Sequence, residues 1–206
     1  MQISIITASH RPLSQSLKIA NYLDQNLKQI NSEIVTDVID LQAFNLPFFN
    51  FEALKNSQIL EIWNSIEKKL TESDGFIFVS PEYGGMATPI LKNFFLYCSS
   101  KAKPLAHKSA LLVGVSSARG GAFVISDLRS SSYKNTFVNY IPDQLIIREC
   151  ESILNDSILN PENKTDYYIK QRVDYTLKIL LEYAKISKQI LDSGLIDLQT
   201  YGNGMS

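Results

Sequence analysis

The sequence predicts an α/β fold, a doubly wound five-stranded parallel sheet with helices on both faces. Two observations predict it. Short β-branched or aromatic runs alternate with longer stretches of helical period along the chain. The short runs are continuously apolar, as strands buried on both faces of a parallel sheet require. Right-handed crossovers then sort the helices onto the two faces, and strand order 2-1-3-4-5 is the first choice among the arrangements left open.

Ile3–Ile6 is the first strand, followed by a polar turn over Thr7–Leu13. Leu17, Ala20, Leu23, Leu27 and Ile30 recur at spacings of three and four, one buried face of a helix. Ile34–Ile39 is the second strand. Leu41–Leu54, with Phe44, Phe48, Phe49 and Phe51 around Pro47, reads as an aromatic surface loop without regular structure. Ile59, Ile62, Trp63, Ile66 and Leu70 mark the second helix. Ser73-Asp74-Gly75 then punctuates before the third strand, Phe76–Val79. Pro81–Pro89 is loop, and Leu91, Phe94, Phe95 and Cys98 line the inner face of the third helix. Leu111–Val115 is the fourth strand, Ser116–Gly121 a small-residue loop, and 122–135 the fourth helix. Leu145-Ile146-Ile147 is the fifth strand. Ile169, Val173, Leu177, Leu180, Ala184 and Leu191 define a long last helix, with Asn160-Pro161 as its start signal.

Composition narrows the function. The chain has 206 residues, the size of one domain, and one domain over 1–206 is expected. Hydrophobic residues make up 45% and charged residues 20%, a globular balance. Lys plus Arg is 20 against 21 Asp plus Glu, so no electrostatic footprint points to nucleic acid or an anionic membrane as partner. Two cysteines without a CxxC, and only His10 and His107, argue against a disulfide scaffold or a zinc site. The first residues lack a basic flank, and no apolar run reaches membrane-spanning length. A soluble, cytoplasmic protein is expected.

In open α/β sheets ligands bind beyond the carboxyl ends of the strands, at the switch between strands 1 and 3. Three loops leave those ends. The first, Ala8-Ser9-His10-Arg11-Pro12-Leu13-Ser14-Gln15-Ser16, runs into a helix N-terminus, where free N–H groups and the helix dipole favour an anion. Ser9, Ser14 and Ser16 add hydroxyls and Arg11 a planar charged fork. Taken singly, Ser14 or Ser16 reads as a helix cap and Arg11 as a solvated residue; together they read as a phosphate site. The spacing is neither GxxxxGK[ST] nor GxGxxG. Thr7-Ala8 provides no carboxylate at the end of the first strand, which rules out a phosphoryl-accepting receiver domain. The second loop is Ser80-Pro81-Glu82-Tyr83-Gly84-Gly85-Met86, whose glycines permit close backbone approach and whose Tyr83 offers a flat surface. The third, Ser116-Ser117-Ala118-Arg119-Gly120-Gly121, could press backbone donors against a polar ring edge or be a plain connector.

These residues, in this order, resemble the NADPH-dependent FMN reductase family of flavodoxin-like proteins. The family's first loop reads roughly G-S-x-R-x-x-S-x-N, matched by Ala8 to Ser16. Its second reads P-E-Y-N-G-S before a helix opening L-K-N, matched by Pro81 to Met86 and by Leu91-Lys92-Asn93. The likeness spans about residues 1–150; Gly84 stands for the usual Asn, Met86 for Ser and Ser16 for Asn. It implies bound FMN, with Ser9, Arg11, Ser14 and Ser16 on the phosphate. Pro81, Glu82, Tyr83, Gly84 and Gly85 would line the isoalloxazine, and Ser116, Ala118, Gly120 and Gly121 its other side. It further implies NADPH or NADH as reductant, a small-molecule electron acceptor (a quinone, flavin, azo compound or metal oxyanion) and a homodimer or homotetramer. Hydride transfer is carried by the cofactor, so no catalytic side chain is required. Glu82 is expected to make backbone contacts, Cys98 to sit in the core, and Arg119 and Arg129 are secondary candidates for a dinucleotide phosphate. The alternative is a non-enzymatic FMN electron carrier.

Overall fold

Parallel strands with both faces covered need apolar side chains on alternate sides, and the chain supplies them. In the computed structural model, which describes residues 1–204, the strands are β1 (Gln2–Thr7), β2 (Val35–Asp40), β3 (Gly75–Pro81), β4 (Ser109–Val115) and β5 (Asn139–Ile147). The helices are α1 (Gln15–Ile30), α2 (Leu41–Phe44), α3 (Ser57–Glu72), α4 (Pro89–Cys98), α5 (Ala122–Ser131) and α6 (Lys164–Asp192). The sheet order is β2-β1-β3-β4-β5 with every pairing parallel, as the sequence predicts.

The period of two divides the core. Ile3, Ile5, Ile77, Val79, Leu111 and Val113 point to the face covered by α1 and α6. Ile6, Phe76, Phe78, Ala110 and Leu112 point to the face covered by α3, α4 and α5. Cys98 lies fully buried in the second cluster, as expected. Gly114 and Gly121 let α5 start hard against β4: a Cβ on Gly114 would stand 2.0 Å from the Gly121 carbonyl oxygen.

Four elements differ from expectation. The aromatic segment contains α2, capped by Asp40, and a 3-10 turn over Ala53–Lys55. It is anchored rather than loose. Asn93 accepts from the Phe49 N–H at 2.7 Å and donates to the Pro47 carbonyl at 2.8 Å, while Phe49 meets Tyr97 edge-on at 5.2 Å. β5 begins at Asn139, six residues before its apolar run. It is an edge strand, so Pro142 and polar residues are tolerated on its open side, and the alternation is blurred by a register shift opposite β4. α5 stops at Ser131, four residues early. α6 starts at Lys164 rather than at Pro161, because Asn163 caps it by accepting from the Asp166 N–H.

Candidate active site

The three loops predicted to matter do converge. Ala8 donates to Val79, Glu82 to Val115 and Ser116 to Ile147, each continuing the sheet ladder just past a strand end. The Thr88 hydroxyl donates to the Ala8 carbonyl at 2.7 Å, tying the far end of the second loop to the first.

In the first loop Ser14 caps α1, its hydroxyl accepting from the Leu17 N–H at 3.1 Å. Gln15 and Ser16 occupy the first turn, where no intrahelical carbonyl can receive their N–H groups. Ser9 is buried; its hydroxyl accepts from the Arg11 N–H at 3.1 Å and lies 3.4 Å from the Tyr83 hydroxyl. Arg11 and His10 are exposed and lean over Tyr83, the guanidinium 6.0 Å and the imidazole 6.2 Å from its ring centre.

The second loop closes as a two-residue hairpin. Tyr83 and Met86 exchange backbone hydrogen bonds of 3.2 and 3.1 Å, and Gly84 and Gly85 adopt φ of 57° and 76°. Such a turn needs positive φ at both central positions, which accounts for the Gly-Gly pair. The hairpin is braced at both ends against α5. Glu82 accepts from the N–H groups of Gly121 and Phe123 at 2.7 and 2.9 Å, so its carboxylate supplies the cap that Gly121 lacks. Asp127 accepts from the Ala87 N–H at 2.9 Å and from the Lys92 ammonium at 2.5 Å. Burial acts against the Asp127 charge, but these two donors outweigh it and hold the carboxyl below its usual range. In the third loop the Ser116 hydroxyl accepts from the Ala118 and Gly120 N–H groups at 3.1 and 3.2 Å.

A cleft of about 270 Å³ opens between the loops. Of the predicted residues, Ser9, Arg11, Ser14, Ser16, Pro81, Glu82, Tyr83 and Ser116 line it. Gly84, Gly85, Ala118, Gly120 and Gly121 do not line it and act on its shape through the backbone. Sequence reasoning passed over Gln15, Val115, Ser117, Cys150 and Glu151, which also line it. Gln15 lay within the first loop, and its side-chain oxygen is buried without a hydrogen-bond partner. Cys150 and Glu151 arrive from the segment after β5, where no local motif announces them. Arg129 is taken up elsewhere, donating to the Ile141 carbonyl at 2.7 Å, and Lys92 and Asn93 serve as braces. Chemically, the cleft presents hydroxyls, the α1 start and the Arg11 side chain at one end and Tyr83 beside the hairpin at the other.

Comparison with known proteins supplies the family. The family model of NADPH-dependent FMN reductases matches residues 1–151. An NADPH azoreductase of Bacillus sp. (strain OY1-2) is 27% identical over 149 residues, covering 71% of this chain and 76% of its own. An NAD(P)H:quinone oxidoreductase of Solanum tuberosum is 34% identical over 76 residues, 37% of this chain and 39% of its own. Among solved structures, the flavoenzyme NAD(P)H:(acceptor) oxidoreductase FerB of Paracoccus denitrificans superposes with a TM-score of 0.70 at 18% identity, covering 88% of this chain and 98% of that one. An azoreductase of Bacillus anthracis str. Sterne superposes with a TM-score of 0.57 at 14% identity, covering 91% and 99%. These last two share the fold. The chain belongs to the family of NADPH-dependent FMN reductases, oxidoreductases that use FMN and a nicotinamide dinucleotide.

Proposed function

We propose that the cleft between the three loops holds FMN and that the protein passes a hydride from NADPH or NADH through it to a small acceptor. The observation that carries this reading is the joining, in one cleft, of the α1 first turn with Arg11, Ser14 and Ser16 to the braced hairpin at Tyr83. The residues present fit the group. Arg11 and the first-turn N–H groups suit a phosphate dianion. Ser9 and Ser16 add hydroxyl donors, and the unpaired Gln15 oxygen is an acceptor for a ribityl hydroxyl. Gly84 and Gly85 leave room beside Tyr83, since a Cβ on Gly85 would meet nothing within 4 Å.

Bound there, FMN supplies the hydride chemistry. The chain's own part is to bind and to orient. Glu82 keeps the hairpin and the α5 N-terminus at a set spacing, which fixes Tyr83 relative to Ser116 and Ser117 on the cleft lining. No side chain is required as nucleophile or base. The relatives' names point to azo compounds and quinones as acceptor classes, alongside flavins and metal oxyanions. The family match favours an enzyme over a passive electron carrier.

We place the protein in the cytoplasm as one domain, in keeping with the free, buried thiols of Cys98 and Cys150. A homodimer or homotetramer fits the aromatic segment, where Phe48 and Phe51 are 80% and 78% exposed.

The test is spectroscopic. Purified protein loaded with FMN is expected to show a protein-bound flavin spectrum, to bleach with anaerobic NADPH, and to consume NADPH steadily when a quinone or azo dye is added. Protein that fails to retain added FMN would overturn the reading.

A further inference from the structure

α6 carries two apolar stripes, and the core uses one of them. Val173, Leu177, Leu180 and Ala184 are buried against the sheet. The second stripe is Tyr168, Tyr175, Ile179, Tyr183, Ile186 and Ile190, whose spacings of seven, four, four, three and four keep to one line along the helix. Ile179 packs partly against the core, and the other five are between 36% and 63% exposed. A helix that meets water on its outer side ordinarily shows charged and polar residues there. This stripe is also held in place. Arg172 pairs with Asp143 of the edge strand β5, and its guanidinium lies 5.2 Å from the centre of the Tyr175 ring, so the charge within the stripe is already partnered.

We propose that this stripe pairs with the same stripe of a second copy of the chain, the two α6 helices running antiparallel about a two-fold axis at Ile179. Tyr168 and Ile190 each stand eleven residues from Ile179, and Tyr175 and Tyr183 each stand four. The axis therefore sets Tyr168 opposite Ile190, Tyr175 opposite Tyr183 and Ile179 opposite itself, the self-complementarity that an isologous contact demands. Ile186 meets the aliphatic stem of Arg172. Moving the axis one turn along, to between Glu182 and Tyr183, would leave Tyr168 beyond the facing helix and set Tyr183 against Glu182.

The flank of the stripe has matching charge. Lys178 and Glu182, both exposed, border it on one side. The axis brings Lys178 of each copy to within about 3 Å, measured along the helix, of Glu182 of the other, a pairing made twice. The area also suffices. At about 200 Å² for each such side chain when fully exposed, the five exposed members offer about 500 Å² per copy and about 1,000 Å² for the pair, where specific association begins. The aromatic segment around Phe49 packs on the other face of the sheet, so a pair formed there leaves α6 free, and use of both faces gives a tetramer.

Sedimentation equilibrium on the full chain at high micromolar concentration tests the proposal. Ile186→Glu is expected to halve the mass that wild type reaches, with the melting temperature and the uptake of FMN unchanged. Lys178→Glu should weaken association at least tenfold, and Lys178→Glu combined with Glu182→Lys should return it to within threefold of wild type. This second pair of variants carries the test should Ile186→Glu fail to fold. Both native thiols are buried, so introduced ones report the register. Tyr175→Cys mixed with Tyr183→Cys should form an intermolecular disulfide under mild oxidation at least tenfold faster than either variant alone. A monomeric wild type overturns the proposal, as does an assembled mass indifferent to Ile186→Glu or to the charge reversal. Disulfide rates equal in the mixture and in the single variants would overturn the antiparallel pairing.

Discussion

Single side chains in the cleft divide into those exposed to solvent, such as Arg11, and those that hold the loops, such as Glu82. Arg11 is exposed and makes no ion pair among the described residues, so its charge is available to a phosphate. Arg11→Ala should weaken FMN about tenfold or more, the worth of one charge-assisted hydrogen bond, and leave the melting temperature of the flavin-free protein unchanged. Equal FMN affinity in a fluorescence titration would remove Arg11 from the site. Glu82 is of the other kind, since both N–H groups it receives belong to the start of α5. Glu82→Gln keeps one acceptor oxygen and loses the charge. It should cost about 1 kcal/mol in urea unfolding, with a smaller effect on FMN than Arg11→Ala. Unaltered stability would show that the cap is idle. That Glu82 makes backbone contacts was expected from the sequence, but its partners are not visible in the P-E-Y string, because they lie some 40 residues downstream and meet it only through the β3–β4 pairing.

At the scale of elements, close approach decides more than propensity. α5 begins with no side-chain cap of its own, on a residue with φ of 99°, pressed against β4. Gly114→Ala would drive a methyl into the Gly121 carbonyl. The expected loss is on the order of 3 kcal/mol, with flavin binding impaired because the third loop is displaced; a variant as stable as wild type in denaturant would refute this. Helix stripes such as Leu17 to Ile30 and Ile59 to Leu70 were legible because a period near 3.6 needs no partner to be recognised. The start of β5 was not. An edge strand with Pro142 and polar side chains satisfies the ladder without an apolar signature. α6 misled for a related reason: Asn160-Pro161 resembles a start, yet Asn163 is the residue whose side chain reaches the free N–H.

Across the whole molecule, buried charge couples stability to pH. Lys108 joins β4 to the end of α3, donating to the carbonyls of Leu70 and Thr71 at 2.9 and 2.8 Å. Burial pushes its pKa down from 10.5 to about 8. Between those values the unfolded chain holds a proton that the folded protein has released, so this group's contribution to stability rises with pH through that window and is flat below it. Wild type should therefore gain on Lys108→Met between about pH 8 and 10.5, by at most about 3 kcal/mol. Unfolding free energies for the pair that run parallel across this range would contradict the assignment.

The sequence by itself determined the five strands, the parallel sheet, and which three loops stand at its carboxyl edge, because hydrophobic period and turn chemistry are local properties. It also carried the grouping of Arg11, Ser14 and the α1 start at one end of the cleft, since they lie within one short stretch. Only the tertiary structure decided that Glu82 spans two loops and that Cys150 and Glu151 close the cleft from behind β5. Those contacts join residues far apart in the chain, and chain order holds no record of distance once the sheet has folded it.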